Sequence, residues 1–82
     1  MLAEMPTIAR VGPYRFFFYS NEGLEPPHVH VQRAEATAKF WLEPLALSSY
    51  DGLSSRELRR MHVIVGDRRD EFREAWNDFF RA

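Results

Sequence analysis

The hydrophobic period of this chain changes once, near Pro44, and that change limits the fold more than any other feature. Ahead of it, apolar side chains alternate at every second residue, the spacing of a strand buried on one face. Beyond Leu53 they recur at i, i+3, i+4 and i+7, the spacing of an amphipathic helix. Leu58, Met61, His62 and Val65 follow the helical rule, and Phe72, Ala75, Trp76, Phe79 and Phe80 repeat it. Ser54 and Glu57 form a capping box flanked by Leu53 and Leu58, Gly66 offers a left-handed stop, and Asp67 can cap a second helix at once. Strands first and helices after predict an α+β domain, an antiparallel sheet of about four strands followed by a two-helix hairpin packed on one face.

Turn residues divide the first half into strands. Thr7 to Val11 is closed by Gly12-Pro13, and the aromatic run from Tyr14 to Ser20 is closed by Asn21-Glu22-Gly23. Pro26-Pro27 forces an extended approach to His28–Arg33, and Thr37–Leu42 ends before Pro44. Matching the apolar faces of these last two strands requires an even-numbered loop, most simply Ala34-Glu35. That loop sets Val31 opposite Ala38, His30 opposite Lys39 and His28 opposite Trp41. A slip of one residue would bury Lys39. The expected core joins Phe40, Leu42, Leu58, Met61, Val65, Phe72, Trp76 and Phe79, leaving His28, His30, Gln32, Lys39 and Trp41 on the opposite, polar face.

Composition narrows the function classes. Eighty-two residues suffice for one domain, read here as residues 5–82 behind a short leader at 1–4, and 15% aromatic content supplies a dense core without covalent staples. With no cysteine, disulfides, thiol chemistry and cysteine-based zinc sites are all excluded, which fits a reducing cytoplasm. No stretch approaches the roughly 20 apolar residues that span a bilayer, so a cytoplasmic protein without membrane contact is expected. Eleven basic against twelve acidic residues leave a net charge of -1 and no overall basic field for nucleic acid. Ten of the eleven basic residues are Arg, which suits bidentate recognition of phosphate or carboxylate, although a GC-rich coding sequence gives the same excess.

Three readings compete for His28 and His30. Side chains two apart on a strand point the same way, so the pair can supply two ligands to one metal ion. A third is then needed from Glu22, Glu25 or Glu43, none at a spacing that demands it, and the sequence reading assigns no metal or other cofactor. Alternatively, the two imidazoles can remove and donate protons on an RNA phosphodiester while Lys39 stabilises the charge on phosphorus, which makes His28, His30 and Lys39 the candidate catalytic residues. Arg15, Tyr19, Gln32 and Trp41 would line the same face as a binding surface for RNA or a protein. The third reading gives the histidines no more than packing and hydrogen bonds on a half-exposed strand. His62 is expected to sit hydrogen-bonded at the edge of the core. Because Phe17 and Tyr19 make the second face of their strand apolar too, a homodimer or a heteromeric partner is expected to cover it.

The stretches "MPTIARVGPYRFFFYSNEGLEPPHVHV", "AKFWLEPLALSSYDGLSSREL" and "EAWNDFF" closely resemble the bacterial domain-of-unknown-function 4160 family over Met5 to Phe80. The recognisable features fall on Pro6 to Ile8, Asn21 to Gly23, Pro26 to Val31 and Lys39 to Leu42, and Leu2 to Glu4 precede the family's usual start. The resemblance implies a small cytoplasmic bacterial protein encoded beside another small family, numbered 2442, in two-gene units that look like toxin and antitoxin pairs. It supplies no catalytic residues. The expectation is therefore a protein-interaction module with a partner from the neighbouring gene, and the alternative is a metal-independent, histidine-dependent ribonuclease.

Overall fold

The computed structural model describes residues 4–81. Five strands, β1 (Thr7–Val11), β2 (Tyr14–Phe17), β3 (His28–Arg33), β4 (Ala36–Leu42) and β5 (Leu45–Asp51), form one antiparallel meander in chain order. Two helices follow, α1 (Ser55–Asp67) and α2 (Arg69–Phe80). The α+β class and the antiparallel sheet followed by two helices are as expected, and the sheet has one strand more.

The central register is the one that alternation requires. His28 faces Trp41, Val29 faces Phe40, His30 faces Lys39 and Val31 faces Ala38. Ala34 takes a φ of 52°, the left-handed conformation that a tight two-residue hairpin turn demands. One sheet face thus presents Phe16, Val29, Val31, Ala38, Phe40 and Leu42 to Met61, Val65 and Phe72 of the helices in a single buried cluster. The rings of Phe16 and Phe72 meet at 5.1 Å across this layer.

Three details depart from the sequence reading. First, β2 stops at Phe17, because Phe18 turns into an aromatic cluster with Trp76, Phe79 and Phe80, at centroid distances of 5.4, 5.3 and 5.3 Å. In that cluster Phe79 remains 42% exposed, so it caps the core rather than filling it. Second, Gly66 does not end α1. The helix runs through it to Asp67, and Arg68, not Asp67, precedes α2, with no side-chain cap. A Cβ on this glycine would lie 3.3 Å from Leu45 Cδ2 of β5, a tight approach to the end of that side chain. Third, only half of the capping box forms. Ser54 Oγ accepts the Glu57 N–H at 3.2 Å, but the Glu57 carboxylate accepts from the Arg33 guanidinium of β3 instead of reaching back. Glu4, the last residue of the segment read as a leader, donates its N–H to Ser20 Oγ at 2.9 Å and accepts the Ser20 N–H at its carbonyl at 2.8 Å. Residues 1–3 of the proposed leader lie outside the described residues.

Among the described residues, no helix is long and apolar enough to cross a membrane.

Candidate functional site

The polar face of the sheet is built around the loop between β2 and β3. Glu22 N–H donates to the Tyr19 carbonyl at 3.1 Å and Glu25 N–H to the Glu22 carbonyl at 3.0 Å, so the loop folds back in successive turns. The Glu22 carboxylate accepts the Tyr19 N–H at 2.8 Å, which fixes its direction. Gly23 is required because Phe80 packs against it: a Cβ there would lie 2.6 Å from the ring. Pro26 and Pro27 have no N–H to satisfy and offer only carbonyls. Pro27 accepts the Leu42 N–H at 3.1 Å, and Pro26 accepts from His28 Nδ1 at 3.0 Å.

That loop brings Glu22 between the two imidazoles. His30 Nε2 lies 3.0 and 2.9 Å from the two Glu22 oxygens and donates to the carboxylate. His28 Nε2 lies 3.0 Å from Glu22 Oε1, within ion-pair range, yet its direction does not meet hydrogen-bond geometry. This pair contributes little as a hydrogen bond, because a bond that points past its acceptor is weak. The His28 imidazole is completely buried, closed in by Trp76 at 4.7 Å, His30 at 5.1 Å and Trp41 at 5.5 Å between ring centroids. The expectation of two half-exposed strand histidines is therefore corrected for His28, since α2 reaches this end of β3 and covers it with Trp76. As folded, a phosphodiester meets His30 and not His28.

Of the three carboxylates weighed for the histidines, only Glu22 reaches them. Glu25 pairs with Lys39 at 2.8 Å, and Glu43 with Arg73 of α2 at 2.9 Å. Burial pushes the Glu22 carboxyl up, but the Tyr19 N–H and the two histidines outweigh it, leaving the pKa below the ordinary value. His30 is held below the usual imidazole range, chiefly by burial, against the opposing pull of Glu22. A neutral imidazole and a carboxylate are what this arrangement favours near neutral pH.

The remaining candidates are engaged within the chain. Arg15 donates to Thr7 Oγ1, Gln32 Oε1 and the Met5 carbonyl at 2.7, 3.2 and 2.8 Å, and its guanidinium lies 4.4 Å above the Phe17 ring. Gln32 also donates to the Ala34 carbonyl at 3.1 Å, and Lys39 Nζ sits 4.3 Å over Trp41. Phe17 stacks on His30 at 5.4 Å and is buried, so the outer face of β2 is covered by its own chain. The expected bare apolar stripe at Phe17 does not exist. What stays open is a recess of about 220 Å³ lined by Tyr19, His30, Lys39, Ser49 and Asp51, among others.

A second surface went unread in the sequence. Among the described residues β5 is an edge strand, hydrogen-bonded only to β4, and between it and α1 runs an apolar groove of about 340 Å³ lined by Phe40, Leu47, Leu58, Arg59, His62 and Val63. His62 is exposed on its rim, its ring 5.9 Å from Phe40, rather than tucked against the core. Leu47 and Val63 stand 39% and 61% exposed beside it.

Residues 14–77 match the family described as Domain of unknown function (DUF4160). The chain belongs to this family. The matched span begins at the first residue of β2 and ends within α2, so it contains the Glu22 loop, both imidazoles and the β5 groove. No curated protein and no solved structure matches the chain.

Proposed function

We propose that this chain is a protein-interaction module, one half of a toxin–antitoxin-like pair in the bacterial cytoplasm, and that its partner adds a strand to the free edge of β5. The observation that carries this reading is the edge itself. Leu45–Asp51 leaves outward backbone N–H and C=O groups unpaired by any strand, contains no Lys, Arg or Pro to discourage pairing, and borders an apolar groove. An added strand would gain main-chain hydrogen bonds along β5 and set alternate side chains into the groove over Phe40 and Leu47. The partner chemistry that fits is an extended segment with apolar residues at every second position, supplied by the product of the neighbouring gene.

The test is co-purification with that product followed by titration of the purified partners. Leu47→Glu and Val63→Glu, both at exposed positions, should each weaken the complex by more than about tenfold, the loss expected of an interface anchor, while leaving the far-UV spectrum unchanged. If Trp41→Ala weakens the complex and the two groove variants do not, the partner sits on the polar face and the edge-strand reading fails. RNA cleavage by the free chain, abolished by His30→Ala, would replace the interaction reading with the catalytic one.

A further inference from the structure

Glu22, His28 and His30 each point one ligand atom into the same small volume, and those atoms lie within 4.8 Å of one another. The donor set is two imidazoles and a carboxylate, from adjoining parts of the chain that are rigid for different reasons. His28 and His30 are two residues apart on a central strand, and Glu22 is fixed by the Tyr19 N–H.

His28 supplies the deciding detail. Its Nδ1 faces the Pro26 carbonyl at 3.0 Å, and a carbonyl only accepts, so the proton is on Nδ1. In the neutral ring Nε2 then presents a lone pair into the pocket, with Glu22 Oε1, another acceptor, 3.0 Å away but off its axis. This nitrogen is wholly buried and has no hydrogen-bond partner among the described residues. Two acceptors this close in a desolvated pocket repel unless something positive lies with them. A backbone carbonyl on the distal nitrogen is also the support that metal-bound imidazoles ordinarily have, because it fixes the tautomer and turns the other lone pair to the ion.

We propose that Glu22, His28 and His30 form a binding site for one divalent transition-metal ion of the zinc class. Nitrogen and oxygen donors without sulfur suit zinc and its borderline neighbours better than calcium or magnesium, which take oxygen alone. Bond lengths of about 2.0–2.1 Å place tetrahedral ligand atoms roughly 3.4 Å apart, so small side-chain rotations bring the three together. The His30 Nε2 proton leaves when the ion enters, and the Glu22 carboxylate stays in place as the charged ligand. Three protein ligands leave a coordination position for water on the side where Glu22 and His30 keep 13% and 17% exposure. The ion fastens the β2–β3 loop to the middle of the sheet. This site is independent of the edge-strand reading, and either stands if the other fails.

The experiment uses the full-length, tag-free chain, stripped with EDTA and desalted. Titration with zinc chloride should show one equivalent bound per chain and raise the thermal midpoint, since an ion that binds only the folded state stabilises it. Nickel chloride should quench tryptophan fluorescence, because Trp76 and Trp41 flank the His28 ring at 4.7 and 5.5 Å. Glu22→Gln keeps the side-chain shape and His30→Gln a polar side chain of similar reach, both at partly exposed positions, and both should remain folded by circular dichroism. Each should lose zinc affinity by at least the roughly 10–100-fold that even supporting residues command. His62→Gln, outside the cluster, should bind as wild type. Absence of stoichiometric binding by the wild type overturns the proposal, as does equal binding by Glu22→Gln and His30→Gln, or loss of binding in His62→Gln.

Discussion

The smallest features of this chain are set by contacts made far away in sequence. Gly23 does not need unusual backbone freedom, since only Gly12 and Gly52 among the glycines take positive φ. It needs the absence of a side chain, because a Cβ would sit 2.6 Å from Phe80, whose ring is held between Trp76 at 4.3 Å and Phe18 at 5.3 Å. Gly23→Ala should therefore destabilise the protein by about 1–3 kcal/mol, the usual cost of overpacking, in urea denaturation. The same change in a Phe80→Leu background should cost clearly less. Equal costs in the two backgrounds would mean that the ring moves aside freely. The Asn-Glu-Gly turn is recognisable in the sequence as a turn, but its two uses, an acid aimed at the histidines and a seat for Phe80, are not. The first depends on the pairing of His28 and His30 in β3, and the second on Phe80 of a helix almost sixty residues further on.

At the level of elements, legibility followed local periodicity. The register of β3 and β4 was readable because both strands alternate without interruption and the even loop leaves one pairing that keeps Lys39 out of the core, although β4 begins at Ala36, one residue ahead of the Thr37 read from the sequence. β5 was hidden for the opposite reason. Lys39 pairs with Ser49 and Phe40 with Leu47, so Ser48 is an extra residue that breaks the alternation, and the strand begins directly after Pro44, which reads as a stop. The bulge also roughens the edge against indiscriminate pairing. In α2 the apolar stripe was evident, but its width was not. Phe72 and Trp76 are buried at 1% and 3% exposure, whereas Phe79 lies at the stripe's margin. Trp76→Ala should accordingly cost roughly 3–5 kcal/mol, and Phe79→Ala about 1–2 kcal/mol because much of its ring is already in water. Comparable losses for both, measured by chemical denaturation, would place Phe79 inside the core after all.

Taken as a whole, the molecule is two thin layers held together by one set of contacts. Its radius of gyration, 11.9 Å, is close to the roughly 12 Å expected of a compact chain this long. Neither layer has an interior of its own: Val29, Val31, Phe40 and Leu42 of β3 and β4 share one buried cluster with Met61, Val65 and Phe72 of the helices, and two helices joined at a single residue cannot enclose those side chains without the sheet. Polar links cross the same boundary, from Arg33 of β3 to Glu57 of α1 and from Arg73 of α2 to Glu43 at the end of β4. These pairs are partly exposed and contribute little beside the apolar layer, so the cooperativity rests on burial. Sheet and helices should then unfold in one transition. Trp41 reports on the sheet and Trp76 on the place where α2 meets it, while far-UV circular dichroism is dominated by the helices. Fluorescence and circular dichroism should give superimposable urea curves, and hydrogen exchange should show residues 54–80 opening together with β3 and β4. Loss of the helical signal at a urea concentration that leaves Trp41 unchanged would show that the layers are separable, and would undo the single-core account of the fold.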